Sequence, residues 1–466
     1  MSIHVADATT PHGPRMEWSR LLEARRLGRD PVPPGVVPRL RTEFFKDWDR
    51  LVFCSAFRRL QDKTQVHPLA KTDYVRTRLT HSLEVASVGR SLGMLAGQAI
   101  ADREPALAAT VTPQDVGAIV AAACLLHDIG NPPFGHAGEA AIQHYFADAG
   151  ARWLDGLDAT QRQDLLAFEG NAQGLRTAVR LQHPDQRGGL QLTLPTLGAF
   201  TKYPRASFVA APQRQGASGK KFGFMASERS WFEVLADGLG LIRKPGDGGP
   251  DDGPAWHRHP LAFLVEAADD ICYGVVDIED GVKAGHIELD ALIALHEPFV
   301  DASAMRRQQA MLDGQHRAEF LRAVTIGELV QRAADAFVAH HDALLEARFD
   351  EPLTQCMPGA DDFARFKRLA EQRLYHERSK VELQVAGFEI IGDLLHILCD
   401  AVETVAAGTG RGHAKAQLIL HLLPRGAEVA ARAPRYERLL AVTDFVAGMT
   451  DSYAVEMHRR LRGMSL

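Results

Sequence analysis

Apolar residues recur at helical spacing along most of this chain. From Phe44 to Gln61 they fall at Phe44, Phe45, Trp48, Leu51, Val52, Phe57 and Leu60, with basic residues between them. That period predicts an amphipathic helix. Thr80–Gly97 and Val116–Leu126 are rich in Ala, Leu and Val and read as buried helices. Further helices are expected across 137–182 and from His259 onward, with a long one over Val381–Thr404 and a closing one over Tyr436–Arg462. Short apolar stretches at Leu190–Phe200 and Lys221–Phe224 fit loops or a small hairpin. Pro31-Val32-Pro33-Pro34-Gly35 blocks regular structure, so residues 1–40 read as a loose lead-in. Pro212–Gly219 and Lys244–Pro254 read as mobile loops, the second from its Gly, Pro and Asp content. No repeat of fixed period and no long heptad run stands out. The pattern predicts an all-α fold with few short strands or hairpins.

Composition narrows this only a little. The 466 residues are 46% hydrophobic and 24% charged, with a net charge of -6. These are ordinary values for a soluble globular protein and give no global pull toward nucleic acid. No apolar run approaches the ~20 residues a membrane span needs. Met1–Thr10 lacks the layout of a signal peptide. The five cysteines are scattered, odd in number and free of CxxC spacing. This argues for reduced thiols in a cytoplasmic protein, against a zinc ribbon and against a disulfide scaffold.

The chemistry concentrates at His127-Asp128. The pair ends the run Ala121-Ala122-Ala123-Cys124-Leu125-Leu126 and opens Ile129-Gly130-Asn131-Pro132-Pro133-Phe134-Gly135-His136. Gly130 and Pro132-Pro133 end the helix, placing an imidazole and a carboxylate where a buried helix meets a loop. Upstream, His81 opens an amphipathic helix with Arg78 three residues before it and Glu84 three after. Downstream, Asp269, Tyr273 and Asp277 recur at i, i+4 and i+8 on one helix face among apolar neighbours. Half-buried acids are costly unless paired or liganded. His81, His127, Asp128 and Asp269 would place two imidazoles and two carboxylates around one ion. Such a set suits Mn, Fe, Mg, Co or Ni better than structural zinc. Taken alone, His127-Asp128 also fits a buried hydrogen-bonded pair without metal.

A set of motifs in order carries a resemblance. It runs through Arg41-Thr42, Asp47-Trp48-Asp49-Arg50, Phe57–Val66, Thr77-Arg78-Leu79-Thr80-His81-Ser82-Leu83-Glu84-Val85 and His127–Glu139. Phe168-Glu169-Gly170-Asn171-Ala172-Gln173, Lys202-Tyr203-Pro204, Glu266–Tyr273 and Gly448-Met449-Thr450-Asp451-Ser452-Tyr453-Ala454 follow. Together they resemble the HD-domain metal-dependent phosphohydrolases, in the deoxyguanosine triphosphate triphosphohydrolase (dGTPase) branch.

The resemblance implies an all-α HD fold with additional C-terminal helices. It divides the chain into the lead-in 1–40, an HD core over 41–290 and a helical region over 291–466 packing on it. It implies hydrolysis of a dNTP, dGTP favoured, to deoxynucleoside and inorganic triphosphate, serving control of dNTP pools. His81, His127, Asp128 and Asp269 would be the metal ligands, and His136 with Glu139 the catalytic pair. Arg78 would lie by the phosphates and Tyr273 on the deoxyribose, excluding a 2'-hydroxyl. Gln65 and Asp277 would bond the 3'-hydroxyl, Asn171 would support metal or phosphate, and Lys202 and Tyr203 would contact the triphosphate tail. Gly170-Asn171 stands where two-metal relatives carry extra histidines, so one catalytic ion is expected, a second Mg being unassigned. A homo-oligomer, hexamer or tetramer, is implied, as is single-stranded DNA as a second ligand. A different HD phosphohydrolase, such as a nucleotidase or alarmone hydrolase, is the alternative, with a nucleotide- or DNA-binding regulator as another.

Elsewhere plainer readings are expected. Arg58-Arg59 read as structural ion-pair residues, and His257 and His259 as surface histidines beside a loop. The Asp277-Ile278-Glu279-Asp280 stretch reads partly as an exposed acidic helix end. His340-His341 and His376 stand in charged helical stretches, a position facing the nucleotide being the alternative for His376. The cysteines read as core fillers.

Overall fold

A computed structural model describes residues 13–30, 41–64, 76–246, 252–374, 378–408 and 412–464. Gln65 and His376 lie outside these residues. The described chain is overwhelmingly helical, and its β pairing is limited to isolated bridges such as Ala206 with Phe224. The helices that matter for the site are α1 (Glu43–Phe53), α2 (Arg78–Arg103), α3 (Pro113–Leu126), α4 (His136–Ala147), α5 (Gly170–Arg176) and α6 (Leu194–Phe200). They continue with α7 (Ala262–Lys283), α8 (Gly314–Ala339), α9 (Arg378–Ala406), α10 (Arg435–Ala447) and α11 (Asp451–Leu461). No described helix is long and apolar enough to cross a membrane.

Helix α3 begins three residues before the expected Val116. Thr112 and Asp115 form a reciprocal capping box and Pro113 takes the first helical position. Almost every residue after that is buried. Helix α2 lies against it through Gly89, Gly93 and Gly97, one residue per turn. A Cβ at Gly89 would sit 2.4 Å from Cys124 Sγ, and one at Gly93 would sit 2.9 Å from Gly117 Cα. The missing side chains therefore set how closely the two helices approach.

Two apolar cores result. The first gathers α1, α2, α3, α6, α7 and α8. The second gathers α4, α9, α10 and α11. Helix α5 touches both, burying Leu175 in the first and Ala172 in the second. The turn from His127 to Gly135 crosses from one core to the other.

Several expectations need correction. Residues 13–30 are not loose: Met16, Trp18, Leu21, Leu22 and Leu27 are buried in the first core. Polar anchors reinforce this, because Trp18 Nε1 donates to His341 Nε2 at 2.9 Å and Arg26 Nη1 pairs with Asp47 Oδ1 at 2.7 Å. Pro212–Gly219 is two short 3₁₀ turns with Gln213, Ala217 and Ser218 buried, the last held by Asp350. The expected helix over Phe44–Gln61 breaks at Cys54, which caps a second short helix, Ser55–Arg59. The closing helix is likewise two, α10 and α11, parted by Gly448-Met449-Thr450 with Thr450 capping α11.

His259 is fully buried; its Nε2 donates to Leu21 O at 3.0 Å, its Nδ1 accepts from Leu261 N at 3.1 Å, and burial pushes its pKa down to about 4. Asp277, Ile278 and Glu279 are buried rather than an exposed helix end, since Arg76, Lys283 and Arg322 pair with the acids Glu279 and Asp280. Neither Arg58 nor Arg59 forms an ion pair among the described residues; Arg58 lies over the Phe53 ring and Arg59 donates to Ser55. Cys356 is exposed, whereas the other four cysteines are buried fillers.

Candidate metal centre and its cavity

The last turn of α3 delivers His127. Its Nδ1 donates to the Cys124 carbonyl at 2.6 Å, which fixes the tautomer and leaves the Nε2 lone pair for the cavity. Asp128 follows, held by Arg78 Nη1 at 2.8 Å and by the Asn131 amide. Gly130 packs straight onto the α5 backbone, where a Cβ would fall 2.1 Å from Gly174 N. His81 comes from the first turns of α2 and Asp269 from the middle of α7.

These four groups converge. His81 Nε2 lies 3.1 Å from Asp269 Oδ1, and His127 Nε2 lies 3.5 Å from Asp128 Oδ1 and 3.7 Å from Asp269 Oδ1. Donor atoms of His81, His127 and Asp128 all fall within 4.8 Å of one another. Neighbouring ligands of an octahedral ion with bonds of ~2.1 Å stand about 3 Å apart, so the set needs little contraction to close on a divalent cation. Electrostatics agree. Burial alone would raise the Asp128 carboxyl, but His127, Arg78 and His81 outweigh it and bring it to about 2. Asp269 is likewise held far below the usual carboxylate range, against burial, by His81 and His127. Burial would lower His81, yet Asp269 holds it up. Two ionised carboxylates are thus kept at a buried point that selects positive charge, and N/O donors suit a hard or borderline divalent ion.

A cavity of about 630 Å³ opens over this cluster. His136 begins α4 at its wall, with the side chain 84% exposed, and its Nδ1 donates to Glu139 Oε2 at 2.9 Å. Glu139 is buried and its Oε1 accepts from Gly170 N at 2.7 Å. Burial would raise the Glu139 carboxyl, but the His136 hydrogen bond and Lys221 keep it low. The α4 N-terminus and Arg78 add positive potential beside the cluster.

Of the residues expected to line a substrate site, Arg78, Asn171, Lys202, Tyr203 and Tyr273 all border the cavity. Lys202 pairs with Glu266 at 3.2 Å, and Asn171 Nδ2 donates to Glu169 Oε1 at 2.7 Å. Tyr203 is buried with its ring near Lys202, while Tyr273 is 38% exposed. Asp277, one turn beyond Tyr273, is buried and outside the lining. Lys221, Glu169, Phe134, Leu383 and Gln384, none of them an expected site residue, also line the cavity. Lys221 pairs with Glu169 at 2.9 Å and lies 3.8 Å from Glu139. It opens the Lys221–Phe224 stretch, whose apolar pattern fits a loop or a small hairpin and gives no sign of a site residue.

The geometry defines an HD-domain protein, and comparison with known proteins agrees. The HD domain model matches residues 78–166, which span Arg78 to the end of α4 and beyond. The phosphohydrolase-associated domain model matches residues 358–460. A deoxyguanosinetriphosphate triphosphohydrolase-like protein of Synechocystis is 41% identical, covering 97% of this chain and 100% of that one. One of Pseudomonas aeruginosa is 41% identical, covering 97% and 99%. The deoxyguanosinetriphosphate triphosphohydrolase of Serratia proteamaculans is 30% identical over 90% of this chain and 93% of its own. The chain belongs to the deoxyguanosinetriphosphate triphosphohydrolase-like family of HD-domain proteins.

Proposed function

We propose that this protein is a metal-dependent dNTP triphosphohydrolase that releases inorganic triphosphate and a deoxynucleoside. The observation that supports it best is the presence, on one cavity, of the His81/His127/Asp128/Asp269 cluster, the His136–Glu139 pair and the cations Lys202 and Lys221. His81, His127, Asp128 and Asp269 would hold one divalent ion, such as Mn, Mg, Co or Fe. When bound, it supplies charge stabilisation at a phosphoryl oxygen and acidifies a ligated water.

The remaining work falls to the protein's own groups. Glu139 holds His136 in one tautomer, with Nε2 directed away from the carboxylate. With Nε2 protonated as well, His136 passes that proton to the 5'-oxygen as its bond to the α-phosphorus breaks and water takes its place, the kind of transfer that contributes roughly 10²–10⁴-fold. Arg78 neutralises charge on the α-phosphate, and Lys202 with Lys221 hold the outer phosphates as point charges. Tyr273 packs on the deoxyribose and leaves no room for a 2'-hydroxyl. Asn171 and Tyr203 complete the phosphate wall.

The relatives' names put dGTP first among substrates. Product analysis with the four dNTPs and GTP, in Mg, Mn and Co, is the test. Triphosphate from dNTPs, and none from GTP, is expected. Orthophosphate or pyrophosphate as the sole phosphate product would sink the reading.

A further inference from the structure

We infer that Asp451, far away in the C-terminal region, is a positioning residue for His136. This rests on the proposed role of His136. Asp451 opens α11 and is 2% exposed. Its Oδ1 accepts from Phe134 N at 2.9 Å, and its Oδ2 accepts from Thr64 N at 3.0 Å and from the Thr64 hydroxyl. Phe134 stands at φ +62° and Gly135 at +60°, immediately before His136. A left-handed backbone at an aromatic residue persists only where its surroundings hold it. The Asp451 carboxylate is the polar group that does so. The turn is also tight on its inner side, since a Cβ on Gly135 would meet Arg78 Nη2 at 2.5 Å.

A second anchor repeats the logic at the other end of the turn. The buried Lys63 ammonium donates to the carbonyl of Asn131 and, at 2.9 Å, to that of Ala447 at the end of α10. The turn that carries the chemistry is therefore tied at both ends to the C-terminal helices. Three of the four cluster residues, His81, His127 and Asp269, are set by α2, α3 and α7 instead. Loosening Asp451 should let His136 wander while the metal cluster stays.

The test uses the full chain with D451N, which keeps shape but removes one acceptor, and D451E, which keeps the charge but moves it. Substrate is the dNTP that the wild type hydrolyses fastest. Expected for D451N are a kcat at least about 30-fold lower, with KM and Mn affinity by calorimetry within about 3-fold. In an H136A background, D451N should cost less than about 2-fold more, because the residue it serves is gone. Histidine-labelled NMR should show the His136 signal moved and those of His81 and His127 in place. An unmoved His136 signal, unchanged kcat in the folded variant, or equal losses in both backgrounds would overturn the inference. If D451N does not fold, the same readouts on D451E decide. If the wild type hydrolyses no dNTP, the proposed function fails, and the NMR comparison still decides the positioning role.

Discussion

Each half of the cavity holds an imidazole fixed from behind, but the two serve different ends. His127 is fixed by a helix carbonyl and faces the carboxylates Asp128 and Asp269; His136 is fixed by Glu139 and faces open space. H127A and D269A should therefore each abolish both Mn binding and hydrolysis, as read by calorimetry and product assay. H136A should bind Mn as wild type and lose about 10²–10⁴-fold in kcat. A different residue carries a pH signature of the fold. Asp164 is buried beneath Tyr436, with one oxygen accepting from Ala226 N and the Tyr436 hydroxyl and the other without a partner. Burial raises its pKa from 3.8 to about 7. A carboxyl raised on folding favours the native state while protonated, so its contribution is complete below pH ~4 and fades as pH climbs through 7. The melting temperature should fall between pH 5 and 8 in the wild type. D164N, which carries an amide in place of the acid proton, should flatten that component; an unchanged slope would refute the assignment.

At the scale of elements, α2 and α3 form the frame on which His81 and His127 meet, their rings 5.3 Å apart. The glycines of α2 set that spacing, and a methyl on Gly93 meets backbone, which cannot swing aside. G93A should cost about 1–3 kcal/mol in urea unfolding and weaken Mn binding as well, because the helices must part. A thermally silent G93A with native affinity would show that the frame is more yielding. These helices, and the His81 and His127 they carry, were legible in the sequence because they depend on local pattern. Helical period and the Gly130–Pro133 break both act within a few residues. What was not legible depends on contacts between distant segments. Residues 13–30 look too short and too broken to order themselves, and they are ordered by Asp47, Leu192 and His341. His259 resembles a loop histidine until Leu21 covers it. Lys221 stands at the cavity in ion pairs with Glu169 and Glu139, which come from distant segments. Asp277 shares a helix with Asp269 and Tyr273, and is buried outside the cavity lining.

The molecule as a whole must keep two cores in register, since the cluster is built on one and His136 on the other. Arg176 of α5 is a polar tie between them. It is buried, and its guanidinium meets Asp444 of α10 through two bonds at 2.8 Å and Glu228 at 2.6 Å. Glu228 is fully buried, and burial raises its pKa even with Arg176 in place. Removing the arginine would strand this acid in an apolar setting, and such losses run to about 3–5 kcal/mol. R176A should thus lower the urea midpoint strongly at pH 8. Its deficit has a predictable pH dependence. Without the guanidinium the native pKa of Glu228 rises further above its unfolded value, so the native state gains relative stability as the acid is protonated. The gap between R176A and wild type should therefore narrow as pH falls from 8 toward 5, and E228Q in the R176A background should recover part of the loss at pH 8. A deficit equal at both pH values would mean that lost packing, rather than a stranded charge, is what R176A costs. Hydrolysis should fall more steeply than Mn affinity in this variant, because a shift between the cores moves His136 relative to an otherwise intact cluster.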